Sequence, residues 1–172
     1  ALTVTNAGNW STLNLDNSAD TLARTVTMNV AGNLGSVAGL APAVIRYRKQ
    51  DLRALNIWGG SGNNTFNVLE TALSTIPGGS PTTLSAGSGF DNINVVGTTG
   101  ALIVDLQGDH NSVTIGGIAG QAGNLTRVRG DVTLRGPDGG NGNFVDIVDR
   151  ANSGLYTYTM DAQRFYRARP NP

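Results

Sequence analysis

The chain has 172 residues with 12 basic and 12 acidic side chains, so its formal net charge is zero, and it contains no cysteine. Neutrality argues against a broad electrostatic grip on nucleic acid or anionic lipid, and the missing thiols exclude disulfides, thiolate metal sites and a cysteine nucleophile. Gly supplies 24 residues, charged types only 14%, and Lys49 is the sole lysine, a balance that favours many short Val/Ile/Thr strands joined by Gly/Asn turns over surface helices.

In chain order, residues 6–15 (Asn6-Ala7-Gly8-Asn9-Trp10-Ser11-Thr12-Leu13-Asn14-Leu15) read as a turn that opens into a strand with Leu13 and Leu15 on one face. Arg24-Thr25-Val26-Thr27-Met28-Asn29 is the next strand. Residues 30–50 read as a longer loop, and only 38–43 and 51–55 have room for a short helical turn. Leu55-Asn56-Ile57 then precedes the turn and strand Gly59-Gly60-Ser61-Gly62-Asn63-Asn64-Thr65-Phe66-Asn67-Val68. After a loop at 70–80, Ala86-Gly87-Ser88-Gly89-Phe90-Asp91-Asn92-Ile93-Asn94-Val95 repeats that unit at an offset of 27, with Gly62 on Gly89 and Val68 on Val95. Leu102-Ile103-Val104 leads to a third copy, 107–115; Val132-Thr133-Leu134 follows a loop at 116–125 and leads to a fourth, 139–147. The opening segment, 6–15, reads as a fifth. Each copy ends apolar, polar, apolar, which sets its apolar side chains on one face of a strand. No apolar run approaches the roughly 20 residues of a membrane-spanning helix, so no membrane insertion is expected.

A longer period lies over the short one. Leu13-Asn14-Leu15 matches Val145-Asp146-Ile147, and Arg24-Thr25-Val26-Thr27-Met28-Asn29 matches Tyr156-Thr157-Tyr158-Thr159-Met160-Asp161, both at an offset of 132. The chain therefore reads as a single domain, 1–172: one super-repeat and the opening of the next.

The two Gly-rich copies at 59–68 and 86–95 resemble the haemolysin-type (RTX) nonapeptide repeat, which binds calcium in a parallel β-roll. Residues 33–68, 81–116 and 125–161 are similar to solenoid repeats of very large bacterial surface proteins. That resemblance implies a parallel β-helix and a structural or adhesive role. A calcium corner of the RTX kind needs an Asp where this chain has Asn64 and Asp91, so only one matching position keeps a carboxylate. Asp91 with Asp109, or Asp138 with Asp146, are the candidate calcium ligands; the competing reading is that these side chains cap their own turns.

Other candidates carry weaker chemistry. His110 is the only histidine, it neighbours Asp109 in a turn, and adjacent residues do not form a preformed dyad. Asp131, Asp138, Asp146 and Asp149 lie near Arg129, Arg135 and Arg150, and stacked strands would let Asp105 and Asp146 share a face with Arg135, as a polysaccharide-degrading β-helix requires. Isolated outward charges that keep a repeat protein soluble account for the same residues. Trp10 and Trp58 are candidate glycan platforms. Arg46-Tyr47-Arg48-Lys49-Gln50-Asp51-Leu52-Arg53 and Arg164-Phe165-Tyr166-Arg167-Ala168-Arg169 interleave basic and aromatic residues; both read as solvated loops, and Arg164, Phe165, Tyr166 and Arg167 are also candidates for an end-to-end contact.

The expectation is an all-β chain, a parallel β-helix of about six or seven irregular rungs, extracellular or at a cell surface, with no catalytic site. Its function is a structural module that stacks with like segments as a stalk, filament or surface-layer component, and a surface glycan is a candidate partner. A carbohydrate-binding or polysaccharide-degrading β-helix and a calcium-stabilised RTX-like module are the alternatives; nucleic acid is not an expected partner.

Overall fold

The computed structural model describes residues 1–6, 11–72, 81–108, 110–137, 142–161 and 164–168. Among them the chain is all β, with no α-helix and two 3₁₀ turns, at Lys49–Asp51 and Leu125–Arg127. The strands are β1 (Leu2–Val4), β2 (Ser11–Asp16), β3 (Thr25–Ala31), β4 (Leu34–Ala38), β5 (Ile45–Arg48), β6 (Leu52–Trp58), β7 (Thr65–Val68), β8 (Thr82–Ser85), β9 (Asn92–Val95), β10 (Leu102–Asp105), β11 (Ser112–Ile115), β12 (Val132–Arg135), β13 (Phe144–Ile147), β14 (Thr157–Met160) and β15 (Phe165–Ala168).

The strands form two large sheets. One has eight strands in the order β1-β5-β4-β3-β7-β9-β11-β13, the other five in the order β12-β10-β8-β6-β2. From β6 to β13 successive strands alternate between the sheets, and every pairing among them is parallel. The alternation follows from length. Each four-residue strand offers two inward positions with one outward residue between them, polar in all but β10, and after β6, β8 and β10 a Gly/Asn corner sends the chain across to the other sheet.

Register turns these inward positions into continuous apolar columns. Val26, Phe66, Ile93 and Val113 are successive partners and are fully buried. Met28, Val68 and Val95 form the next column. On the facing sheet Leu15, Ile57, Leu84 and Val104 do the same. Each such side chain contributes roughly 1.5–3 kcal/mol on leaving water.

Three expectations need correction. The described residues contain five strand–corner–strand tiers (β2/β3, β6/β7, β8/β9, β10/β11, β12/β13), fewer than six or seven. Residues 30–50 are not a loop: β3, β4 and β5 form an antiparallel meander that carries Val37, Ile45 and Tyr47 into the common core. Its β4 has the sequence Leu34-Gly35-Ser36-Val37-Ala38, too glycine- and serine-rich to stand out as a strand. The segment 38–43 holds no helical turn, and the turn expected at 51–55 lies at Lys49–Asp51 instead, directly before β6.

The opening strand also differs in role from the later copies. β2 pairs with β6, Leu13 on Leu55 and Leu15 on Ile57, so it belongs with the strands that precede a corner. β3 is the counterpart of the strands that follow one. At the offset of 132, β2 corresponds to β13 in the other sheet, and β3 to β14, which forms a separate antiparallel hairpin with β15.

Candidate functional site

Two places concentrate polar chemistry: the corners between the sheets, and the last tier with the hairpin beside it. At the corners, the residue just before each of β3, β7, β9 and β11 passes a hydrogen bond to the next tier. Arg24 N–H donates to Asn64 Oδ1 (3.1 Å), Asn64 N–H to Asp91 Oδ1 (2.7 Å), Asp91 N–H to Asn111 Oδ1 (2.9 Å) and Asn111 N–H to Asn143 Oδ1 (2.9 Å). The steps along the chain are 40, 27, 20 and 32 residues, yet the bond is the same each time. The amides secure their own corners as well: Asn64 Nδ2 donates to the carbonyls of Gly60 and Gly62, and Asn111 Nδ2 to that of Gly108.

Asp91 is the one carboxyl in this column. It is 1% exposed, and its Oδ2 is buried without a hydrogen-bond partner. Burial pushes its pKa up to about 6, against the opposing hydrogen bonds from Asn64. It therefore closes a corner from inside. Asp109, its candidate calcium partner, and Asp138 lie outside the described residues, and no group of three His, Asp or Glu able to hold a metal occurs among the described ones. Asp146 lies on the polar row of the eight-stranded sheet, beside Thr114.

Other sequence candidates stand apart. His110 is exposed, has φ +62, and meets Phe90 edge to face at 5.5 Å between ring centres. Trp58 is half-buried at the end of β6, in register between Asp16 and Ser85; Trp10 lies outside the described residues. Asp105 does sit beside Arg135, but Asp146 belongs to the other sheet, so the three do not share a face.

The last tier is built like the others and finished differently. Val113 is fully buried, whereas its partner Val145 is 44% exposed, and Phe144 at the start of the same strand is 64% exposed. Among the described residues β12 and β13 each have one neighbouring strand. The hairpin β14–β15 lies beside this end, and a cavity of about 810 Å³ separates them, lined by Ile115, Leu125, Val132 and Ile147 from the tiers and by Arg164, Phe165, Tyr166 and Arg167 from β15. Asp149 is the latch. Its carboxylate takes hydrogen bonds from Tyr158 Oη (2.6 Å) and Arg167 (3.0 Å), and it also accepts the N–H of Leu125 and the amide of Asn152. Burial works to raise the Asp149 pKa, but these bonds together hold it at about 2. Arg167 stacks on Tyr156, 4.4 Å from the ring centre, while Arg164 turns to Tyr166 Oη. The structure thus brings Arg164, Phe165, Tyr166 and Arg167 together at the open end.

Sequence reasoning missed the Asn column, and it named Asp149 only as one of an acidic cluster and missed its bonds to the hairpin. The signal for the first was present, since Asn64, Asp91, Asn111 and Asn143 each stand directly before an alternating strand. No family model, curated protein or solved structure matches the chain.

Proposed function

We propose that the chain is a parallel β-solenoid with a structural, non-catalytic role, joining like segments end to end in a stalk, filament or surface layer outside the cell. Alternation of short strands between two parallel sheets, with in-register apolar columns and a repeated polar bond at each corner, supports the solenoid reading. The observation that carries the joining role is the fall in burial at the last tier: the column Val26, Phe66, Ile93, Val113 is fully covered, and Val145 is 44% exposed. An unpaired strand edge backed by exposed apolar side chains is a template for another strand. Neutral charge and the absence of cysteine suit a secreted repeat segment that gains its stability from stacking.

Sedimentation velocity over a concentration series, with electron microscopy of the same samples, tests this reading. Mass that grows with concentration, in elongated particles, is the expected result. Val145→Asp, at a position already half open to water, removes the association and leaves the thermal melt of the monomer in place. Particles of one chain's mass at every concentration overturn it.

A further inference from the structure

The cavity beside the last tier meets both of its walls edge-on. Four consecutive residues of the tier line it, Gly130, Asp131, Val132 and Thr133, and so do four of the hairpin, Arg164, Phe165, Tyr166 and Arg167. Neighbouring residues on a strand point to opposite faces, so a wall lined by both sets is the strand's edge. Hydrogen bonding agrees. Leu102 N–H donates to the Asp131 carbonyl and Leu106 N–H to that of Arg135, so in this parallel pair Asp131, Thr133 and Arg135 turn their main-chain groups to β10, and Val132 and Leu134 turn theirs away from it. Asp161 N–H donates to the Arg164 carbonyl, so by the antiparallel alternation Phe165 and Arg167 turn theirs away from β14. Among the described residues neither edge has a further strand. The cavity, about 810 Å³, is thus a slot between two unpaired strand edges.

We infer that this slot binds an extended peptide as an added strand, one whose apolar side chains alternate with acidic ones. The frame fixes the alternation. Val132 and Leu134 are only half-buried, whereas their partners Leu102 and Val104 in the tier before are fully buried. A guest strand on β12 continues these two columns with apolar side chains. Its outward side chains lie beside Thr133 and Arg135, and Arg135 is exposed with Asp105 on its other side. An acidic guest residue there makes an opposite-charge cross-strand pair. The slot itself is basic: Arg129, Arg164 and Arg167 outnumber Asp131 and the Asp149 that holds Arg167. Neither Arg129 nor Arg164 is in an ion pair among the described residues. A two-stranded hairpin alone is marginally stable in water, and the guest gives β15 a second neighbour. Main-chain bonds to the two edges supply affinity, and the alternating side chains supply selectivity. This site stands apart from the end-joining reading, which rests on Val145 in the other sheet.

The test titrates the full chain into a labelled, end-blocked hexapeptide of alternating valine and aspartate, followed by fluorescence anisotropy, with amide hydrogen exchange by NMR on the complex. Saturable binding is expected, and exchange slows at the amides of Val132, Leu134, Phe165 and Arg167. The valine–lysine hexapeptide is expected to bind about tenfold more weakly or worse. Val132→Pro weakens the aspartate peptide by a similar factor, because it removes a slot-facing N–H at a place where an edge strand tolerates proline. Arg135→Glu, a surface change that leaves the melt in place, weakens the aspartate peptide and leaves a valine–threonine one unchanged. No binding, equal binding of the aspartate and lysine peptides, or binding that leaves those amides unprotected overturns the inference. Displacement of the peptide by an oligogalacturonate that protects the same amides also overturns it, since an acidic glycan is then the ligand. Sedimentation of the peptide-free chain reads the end-joining separately, so either reading can fail alone.

Discussion

Asn64 and Asp91 are joined by a 2.7 Å hydrogen bond from the Asn64 backbone N–H to Asp91 Oδ1, across 27 residues of chain. This bond belongs to a column in which three of the four accepting side chains are asparagine. An amide at such a site both accepts from the previous tier and donates to a glycine carbonyl of its own corner. A carboxylate can only accept, which leaves Oδ2 of Asp91 buried and unpaired.

Replacing Asp91 with Asn is therefore expected to stabilise the protein at neutral pH. In the folded chain Asp91 holds its proton up to about pH 6, against 3.8 for an ordinary Asp. Because the folded state binds the proton more tightly, stability falls as pH rises from about 4 to about 6 and is level above that. The gain from Asp91→Asn at pH 7 is on the order of 1–2 kcal/mol, after allowing for screening. Denaturant melts of both proteins at pH 4 and pH 7 check this, and the variant should lose the pH dependence of the parent.

Asn111→Ala is expected to act in the opposite direction. It strips the acceptor from the buried N–H of Asp91 and the donor from the carbonyl of Gly108, and an unpaired buried group costs about 1–3 kcal/mol. The melting midpoint should drop accordingly at every pH.

The glycines with positive φ divide into two kinds. Gly87 has φ +94, and a Cβ there would collide with the carbonyl oxygen of Gly60 in the preceding tier. Gly120 has φ +76 with nothing within 4 Å. Gly120→Ala should cost only the backbone strain, about 1 kcal/mol, whereas Gly87→Ala adds a backbone clash and should cost more than that. Comparing the two variants by thermal melt separates conformation from packing.

The hairpin is expected to depend on Asp149. Asp149→Ala removes the contacts to Tyr158 and Arg167, so hydrogen exchange should speed up over residues 157–168 and stay unchanged in β7 to β11. Acid should do the same to the parent. The carboxyl is held at about 2 against 3.8, so its contribution is present above pH 4 and is lost as pH falls towards 2.

Much of this was legible in the sequence. The Gly-rich copies marked the corners, and the offset of 27 between Gly62 and Gly89 is the true register of β7 on β9. Apolar, polar, apolar triplets gave the inward columns. The meander escaped because Gly35 and Ser36 break the alternation of β4, and the pairing that orders it is tertiary. The opening segment was misaligned because Leu13-Asn14-Leu15 has the same pattern on either side of a corner, and pattern alone does not say which sheet receives it. Asp149 stood out only as one of several carboxylates near arginines, and its role as a latch was illegible because its partners come from a hairpin and a 3₁₀ turn that no periodicity links to it.

The corners in the middle of the chain each have six residues, 59–64, 86–91 and 106–111, whereas the return paths differ widely, 69–81, 96–101 and 116–131. Alignment and cargo are thus encoded in separate places. The short side indexes each turn, and the long side has room to vary where it leaves the frame. A peptide of choice spliced in after Gly120, which is exposed with nothing within 4 Å, should ride on the outside of the stack while the frame beneath it keeps count.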